Sequence, residues 1–188
     1  MKRVFDFTLA IIVIVPAAMV VAVAAIPALL ECRANPFFLQ KRVGRNQKIF
    51  TLIKLRTMRT STPSVASHQV SAQNITRSGR FFRKTKIDEL PQIFNVLMGE
   101  MSFVGPRPCL PSQTELRSAR EIRGVYGLRP GITGIAQVKG IDMSTPEELA
   151  IADALYLERA SVVLDFKLVL ITALGSGRGD AIGVKNSK

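Results

Sequence analysis

Tryptophan is absent from this chain of 188 residues, and only two tyrosines and one histidine occur. The ten phenylalanines sit mostly in apolar runs and do not alternate with Arg or Lys, so the base-stacking platforms of nucleic-acid-binding surfaces are missing. The lone histidine, His68, falls in a polar loop; it reads as a surface residue and removes His-dependent catalytic triads from consideration. Two cysteines, Cys32 and Cys109, lie far apart with neither a Cys-x-x-Cys spacing nor a His cluster, which argues against a metal-thiolate centre. No Gly-x-x-x-x-Gly-Lys-Ser/Thr run exists, and the Gly-rich stretch from Gly175 does not lie between a strand and a helix, so a P-loop kinase or ATPase is excluded. Acid is scarce as well. From Cys32 to Ile87 there is no Asp or Glu, only many Lys and Arg.

What is present is positive charge. The net charge of +12 and a pI near 10.4 point to an anionic partner, namely nucleic acid, acidic lipid or a phosphorylated substrate, and the first is the weakest of the three. The length suits one compact domain. At the end of the acid-free tract stands Arg83-Lys84-Thr85-Lys86-Ile87-Asp88-Glu89-Leu90-Pro91-Gln92. Adjacent acids in a basic field stay ionised and sit where anions gather. Equally, they suit the first turn of a solvated helix, where the macrodipole favours them.

Near the N-terminus, Phe7 to Leu30 is an uninterrupted apolar run, long enough as a helix to cross a bilayer core. It is too long for a signal-peptide core and lacks a small-residue cleavage site. Lys2 and Arg3 precede it, and Arg33, Lys41, Arg42, Arg45 and Lys48 follow it, so both flanks carry the cationic mark of a cytoplasmic face. Pro16, near the middle, removes a backbone donor and favours a break. Two arms of about 14 and 21 Å could enter one leaflet and return, and this re-entrant arrangement is favoured over spanning.

Residues 1–34 are thus read as a membrane helix and 35–188 as a membrane-associated body. The body opens with a hairpin, Phe37 to Val43 and Ile49 to Leu55 around Gly44-Arg45-Asn46, with Lys54, Arg56 and Arg59 assigned to lipid headgroups. Thr60 to Asn74 is loop. Apolar residues at Leu90, Ile93, Phe94 and Leu97 predict a helix over Ile87 to Met98 with Asp88 and Glu89 in its first turn and Pro91 tolerated near the start. Gly99 to Pro108 reads as a rigid loop projecting Arg107 between two prolines. A second stiff loop, Arg129 to Gly134, leads into a short strand, Ile135 to Val138. A helix capped by Ser144 or Thr145, with Pro146 in its first turn, runs to about Glu158 and includes Asp153. Val162 to Leu174 is a core or interfacial helix. The fold class is therefore α/β, mixed and mostly helical.

Taken in order, Lys2-Arg3 before an apolar segment with a central proline, Arg83 to Gln92, Val104-Gly-Pro-Arg-Pro108, Arg129 to Val138 and the Asp153 helix resemble the monotopic phosphoglycosyl transferases, bacterial sugar transferases that start glycan assembly. The resemblance covers nearly the whole chain. It implies transfer of a phosphosugar from a UDP-sugar to polyprenyl (undecaprenyl) phosphate with release of UMP, by a ping-pong route. Asp88 matches the nucleophile and Glu89 its acidic partner, with Mg²⁺ as cofactor held by one or both. Arg83 and Arg129 match phosphate-contacting arginines, Arg107 lies in the loop associated with the nucleotide, and Asp153 matches a further functional acid. The implied location is the cytoplasmic face of a bacterial inner membrane, among membrane lipid. Two positions depart from the family pattern. Val15 stands where Ser is common, so a break would rest on Pro16 alone, and Ile135 stands where an aromatic is common. A non-catalytic membrane adaptor using the basic tract to hold anionic lipid is the alternative from another functional class.

Overall fold

The apolar N-terminal run folds as one helix, α1, over Lys2–Cys32, closed by Arg33 in the left-handed conformation. A computed structural model describes residues 1–62 and 71–175; His68 and the Gly-rich stretch beyond Gly175 lie outside them. Asp6, Ala10, Ala17, Ala24, Ala28 and Cys32 are buried, a stripe at helical spacing along one face. Val4, Ile11, Ile12, Val15, Met19, Val23, Ile26 and Leu30 lie exposed. The division expected at Pro16 does not interrupt the helix: Pro16 and Pro27 both lie inside it. Proline removes one bond per site, and packing on either side offsets that. Ala10 and Ala17 meet the main core, while Ala24 and Ala28 meet Leu55 and Phe82.

Both ends of α1 are fastened to the same body. Lys2 Nζ lies 2.7 Å from Asp165 Oδ2, Arg3 donates to the carbonyls of Val96 and Leu97, and Asp6 accepts from Ser102 Oγ and Phe103 N–H. At the other end, Glu31 accepts from the Ser78 N–H and hydroxyl and Cys32 Sγ approaches the Met58 carbonyl at 3.4 Å.

The hairpin forms as expected, β1 Phe37–Val43 against β2 Ile49–Leu55, antiparallel with Phe38 opposite Lys54, Gln40 opposite Leu52 and Arg42 opposite Phe50. Opposed residues share a face, so Gln40, Arg42 and Lys54 stand on the same side as the core residues Phe50 and Leu52. The Thr76 hydroxyl accepts from Gly79 N–H and starts α2, Arg77–Thr85.

Lys86, at φ 59°, turns the chain into a 3₁₀ turn, Ile87–Glu89, and α3 follows over Gln92–Leu97. The continuous helix expected from Ile87 to Met98 is thus a tight turn plus a shorter helix. Pro91 has no N–H to give to the Ile87 carbonyl, which takes the Leu90 N–H instead at 3.2 Å.

The two proline-rich loops each contain a three-residue strand. β3, Ser102–Val104, pairs in parallel with β4, Gly131–Thr133. Between them lies α4, Thr114–Ile122. The strand expected at Ile135 to Val138 is instead a short helix, α5, Ile135–Lys139. Four residues, three of them apolar, do not tell a strand from a helical turn, and here the strand lies just upstream. α6 spans Pro146–Arg159 and α7 spans Val162–Ala173, started by Ser161 accepting from Leu164 N–H. The main core gathers Ala10 and Ala17 of α1, Phe50 and Leu52 of β2, Ile93 and Val96 of α3, Val104, Tyr156 and Leu168.

Candidate active site

The left-handed turn at Lys86 and the 3₁₀ turn after it drive Asp88 and Glu89 inward, where they are 6% and 7% exposed. The solvated helix start is therefore not what forms. Glu89 Oε1 accepts from Arg107 at 2.8 Å and pairs with Lys54 Nζ at 3.4 Å. Burial, and then the neighbouring Glu89, push the Asp88 carboxyl up to about 6, while Lys54, Arg83 and Arg107 pull it back. An acid so placed holds its proton more tightly than a free carboxyl, a shift that marks it as a candidate for chemistry.

Three stretches supply the cations. Arg83 comes from the last turn of α2, directly ahead of the acids. Arg107 comes from the Val-Gly-Pro-Arg-Pro loop, which interlocks backbone to backbone with Arg-Pro-Gly-Ile-Thr-Gly. A Cβ on Gly131 would lie 2.1 Å from Gly105 N, one on Gly105 2.3 Å from the Arg129 carbonyl, and one on Gly134 2.5 Å from the Gly105 carbonyl. Glycine at these points is a requirement of close approach. Lys54 comes from β2. It is assigned to lipid headgroups by charge alone, and the structure corrects that: its side chain is 15% exposed and faces Glu89. The signal was available in the alternation Phe50, Leu52, Lys54, which places the lysine third in a row of inward positions. Arg56 is also not free for lipid, since it donates to the Asn35 carbonyl and lies over the Phe38 ring.

Asp153 and Arg129 are bonded to other groups. Asp153, on α6, is 3% exposed, and its Oδ2 accepts from Arg120 Nε and Nη2 at 2.9 and 2.7 Å. Burial raises its pKa and Arg120 opposes the rise. Its link to the site is indirect, because Arg120 Nη1 donates to the Arg107 carbonyl at 2.9 Å. Arg129 Nε donates to the Gly99 carbonyl at 2.9 Å; burial and then the nearby Arg45 and Arg3 lower its pKa. Arg3 donates to the Val96 and Leu97 carbonyls at the same C-terminal end of α3. Pro16 lies inside α1. Sequence reasoning gives Lys54 and Arg42 other places, at lipid headgroups and on a cationic flank, and does not single out Arg120, which shows no signal beyond its charge.

Mg²⁺ takes few protein carboxylates and fills its octahedron with water and substrate phosphates. Adjacent Asp88 and Glu89 fit that mode, and among the described residues no cluster of three or more metal-ligating side chains is found.

Comparison with known proteins gives the family. The bacterial sugar transferase family matches residues 1–177. The chain is 36% identical over 172 residues to EpsL of Bacillus subtilis, named an uncharacterized sugar transferase, covering 92% of this chain and 85% of that protein. It is 39% identical over 180 residues to a UDP-glucose:undecaprenyl-phosphate glucose-1-phosphate transferase of Caulobacter vibrioides, covering 91% and 67%. It is 36% identical over 184 residues to an undecaprenyl-phosphate glucose phosphotransferase of Komagataeibacter xylinus, covering 91% of this chain and only 35% of that longer protein. The names describe enzymes that transfer sugars or sugar phosphates, and the chain belongs to the bacterial sugar transferase family.

Proposed function

We propose that the chain moves a sugar 1-phosphate from a UDP-sugar to undecaprenyl phosphate, releasing UMP, by way of a covalent Asp88 intermediate. The observation that carries this reading is the burial of Asp88 beside Glu89 under the field of Lys54, Arg83 and Arg107. An Asp88 oxygen bonds to the sugar-linked phosphorus, the bond from that phosphorus to the bridging oxygen breaks, and UMP leaves with that oxygen. An oxygen of undecaprenyl phosphate then attacks the same phosphorus and frees Asp88. Each step needs negative charge spread over phosphoryl oxygens, and fixed cations in a site shielded from water do that with little reorganisation. Asp88 and Glu89 are the residues that would hold Mg²⁺, whose chemistry would be neutralisation of phosphate charge.

The exposed apolar face of α1 supports a membrane location, and the attachment of both its ends to one body favours seating in a single leaflet, on the cytoplasmic face of a bacterial inner membrane. The adaptor alternative loses ground because part of the basic tract is turned inward, at Arg42 and Lys54.

The test is UMP release over a panel of UDP-sugars with undecaprenyl phosphate, alongside mass spectrometry of the protein after incubation with donor alone. A phosphosugar adduct on Asp88, lost in Asp88→Asn, is the expected result. UMP release with the adduct intact in that variant would overturn the nucleophile assignment, and absence of UMP release for every donor would overturn the transfer.

A further inference from the structure

Four consecutive carbonyls in the loop that carries Arg107 each accept from a different, distant donor. Pro106 takes the Gly131 N–H at 2.8 Å and Cys109 takes the Val43 N–H at 2.9 Å. Between them, the Arg107 carbonyl takes Arg120 Nη1 at 2.9 Å and the Pro108 carbonyl takes Arg42 Nη1 at 2.9 Å. The two side-chain donors are buried, Arg42 at 7% and Arg120 at 2% exposure. Each is steadied from behind by an acceptor on its own side. Gln40 Oε1 receives Arg42 Nε and Nη2 at 3.0 and 2.6 Å, and Asp153 Oδ2 receives Arg120 Nε and Nη2.

Stability alone does not account for this arrangement. A buried ion pair adds little over an apolar pair of the same volume, because both charges must leave water. An apolar pair, however, cannot donate to a loop carbonyl. The planar guanidinium does both at once, directing two N–H groups at its own acceptor and a third at the loop.

We propose that Arg42 and Arg120 are positioning residues that pin the carbonyls of Pro108 and Arg107, and so set the Arg107 guanidinium against Glu89 beside Asp88. Asp153 then acts at a distance, by aiming Arg120. The catalytic consequence rests on the phosphoglycosyl-transfer reading; the positioning itself does not.

The experiment follows the rate at which Arg107 is modified by phenylglyoxal, by peptide mass spectrometry, which reads how the guanidinium is held whatever the enzyme transfers. Arg120→Lys keeps the charge opposite Asp153 but loses the forked geometry. In that variant Arg107 should be modified several-fold faster, as it should in Glu89→Gln, which weakens the contact at its other end, and the double variant should be modified no faster than Glu89→Gln alone. An Arg120→Lys protein that melts earlier yet is modified at the wild-type rate has only a structural residue at that position, and the proposal falls. Equal increases with and without the Glu89 carboxylate would also overturn it. Arg42→Lys carries the same test at the other carbonyl should Arg120→Lys fail to fold. With the same variants, UMP release should fall in kcat more than it rises in KM. A wild type that releases no UMP from any UDP-sugar defeats the transfer reading, while the modification of Arg107 still decides the positioning.

Discussion

Asp88 is unfavourable to the fold in its ionised form. Its pKa is raised from 3.8 to about 6, mainly by burial, so the folded chain holds the proton more tightly than the unfolded one. Below pH 3.8 both states are protonated and nothing is lost; as pH rises through 6 the fold must carry a buried charge, and stability falls by up to about 3 kcal/mol. Asp88→Asn removes that charge with little change of shape. It should raise the thermal midpoint at pH 7.5 by on the order of 5–10 °C and give no advantage at pH 4, measured by calorimetry at both values. An Asn variant no more stable than the wild type at pH 7.5 would refute the burial argument. At this scale the sequence was partly legible. Asp88, Glu89, Arg83 and Arg107 stand out by pattern, whereas pattern sends Lys54 to lipid headgroups, counts Arg42 as a flanking cation and does not single out Arg120. A charge declares its sign in a sequence but not its direction, and direction here comes from a strand register and from helix packing that no local pattern contains.

Among the elements, the most constrained contact is the one between β3 and β4, because it is made by backbones. Gly105, Gly131 and Gly134 let Val-Gly-Pro-Arg-Pro and Arg-Pro-Gly-Ile-Thr-Gly approach more closely than any Cβ permits. Gly131→Ala should therefore cost on the order of 3 kcal/mol or more and reduce transfer activity with it, since Arg107 follows directly from this contact. Gly127→Ala, where nothing lies within 4 Å of the added carbon, is the matched control and should be near neutral. Denaturant midpoints of the two variants decide it; equal midpoints would mean that the strands part at no cost. The hairpin, α6 and α7 were readable because each carries its own signal: a Gly-centred turn between β-rich runs, a proline followed by acids in a first turn, a long apolar stretch. The cap expected at Ser144 or Thr145 does not form: Thr145 makes no side-chain cap bond, and the Ser144 hydroxyl donates to Asp142 instead. The strand at 131–133 and the helix at 135–139 were not readable, because three to five residues hold too little of either period and a tertiary pairing decides between them.

For the whole molecule, the question is how a strongly apolar helix can be tied to a charged catalytic body at both of its ends. Laid straight across a bilayer, a helix of this length would part its ends by about 46 Å, yet Lys2, Arg3 and Asp6 bond to the same body as Glu31 and Cys32. The buried alanine stripe runs along the intervening length, leaving the larger apolar side chains to face outward, where a lipid leaflet would cover them. Charge agrees, since the cations at both flanks suit one anionic surface. In sealed inverted membrane vesicles, which expose the cytoplasmic face, a cysteine added ahead of Met1 and one at Lys48, an exposed position in the hairpin turn, should both react with an impermeant maleimide without detergent. Native Cys32 and Cys109 are buried and should contribute little background. Reaction at Lys48→Cys alone, with the N-terminal thiol protected until the vesicles are opened, would mean that α1 crosses the membrane. The bonds at its N-terminal end could not then coexist with the membrane-bound state, and the short path from α1 through Asp6 and β3 to the Arg107 loop would be lost with them.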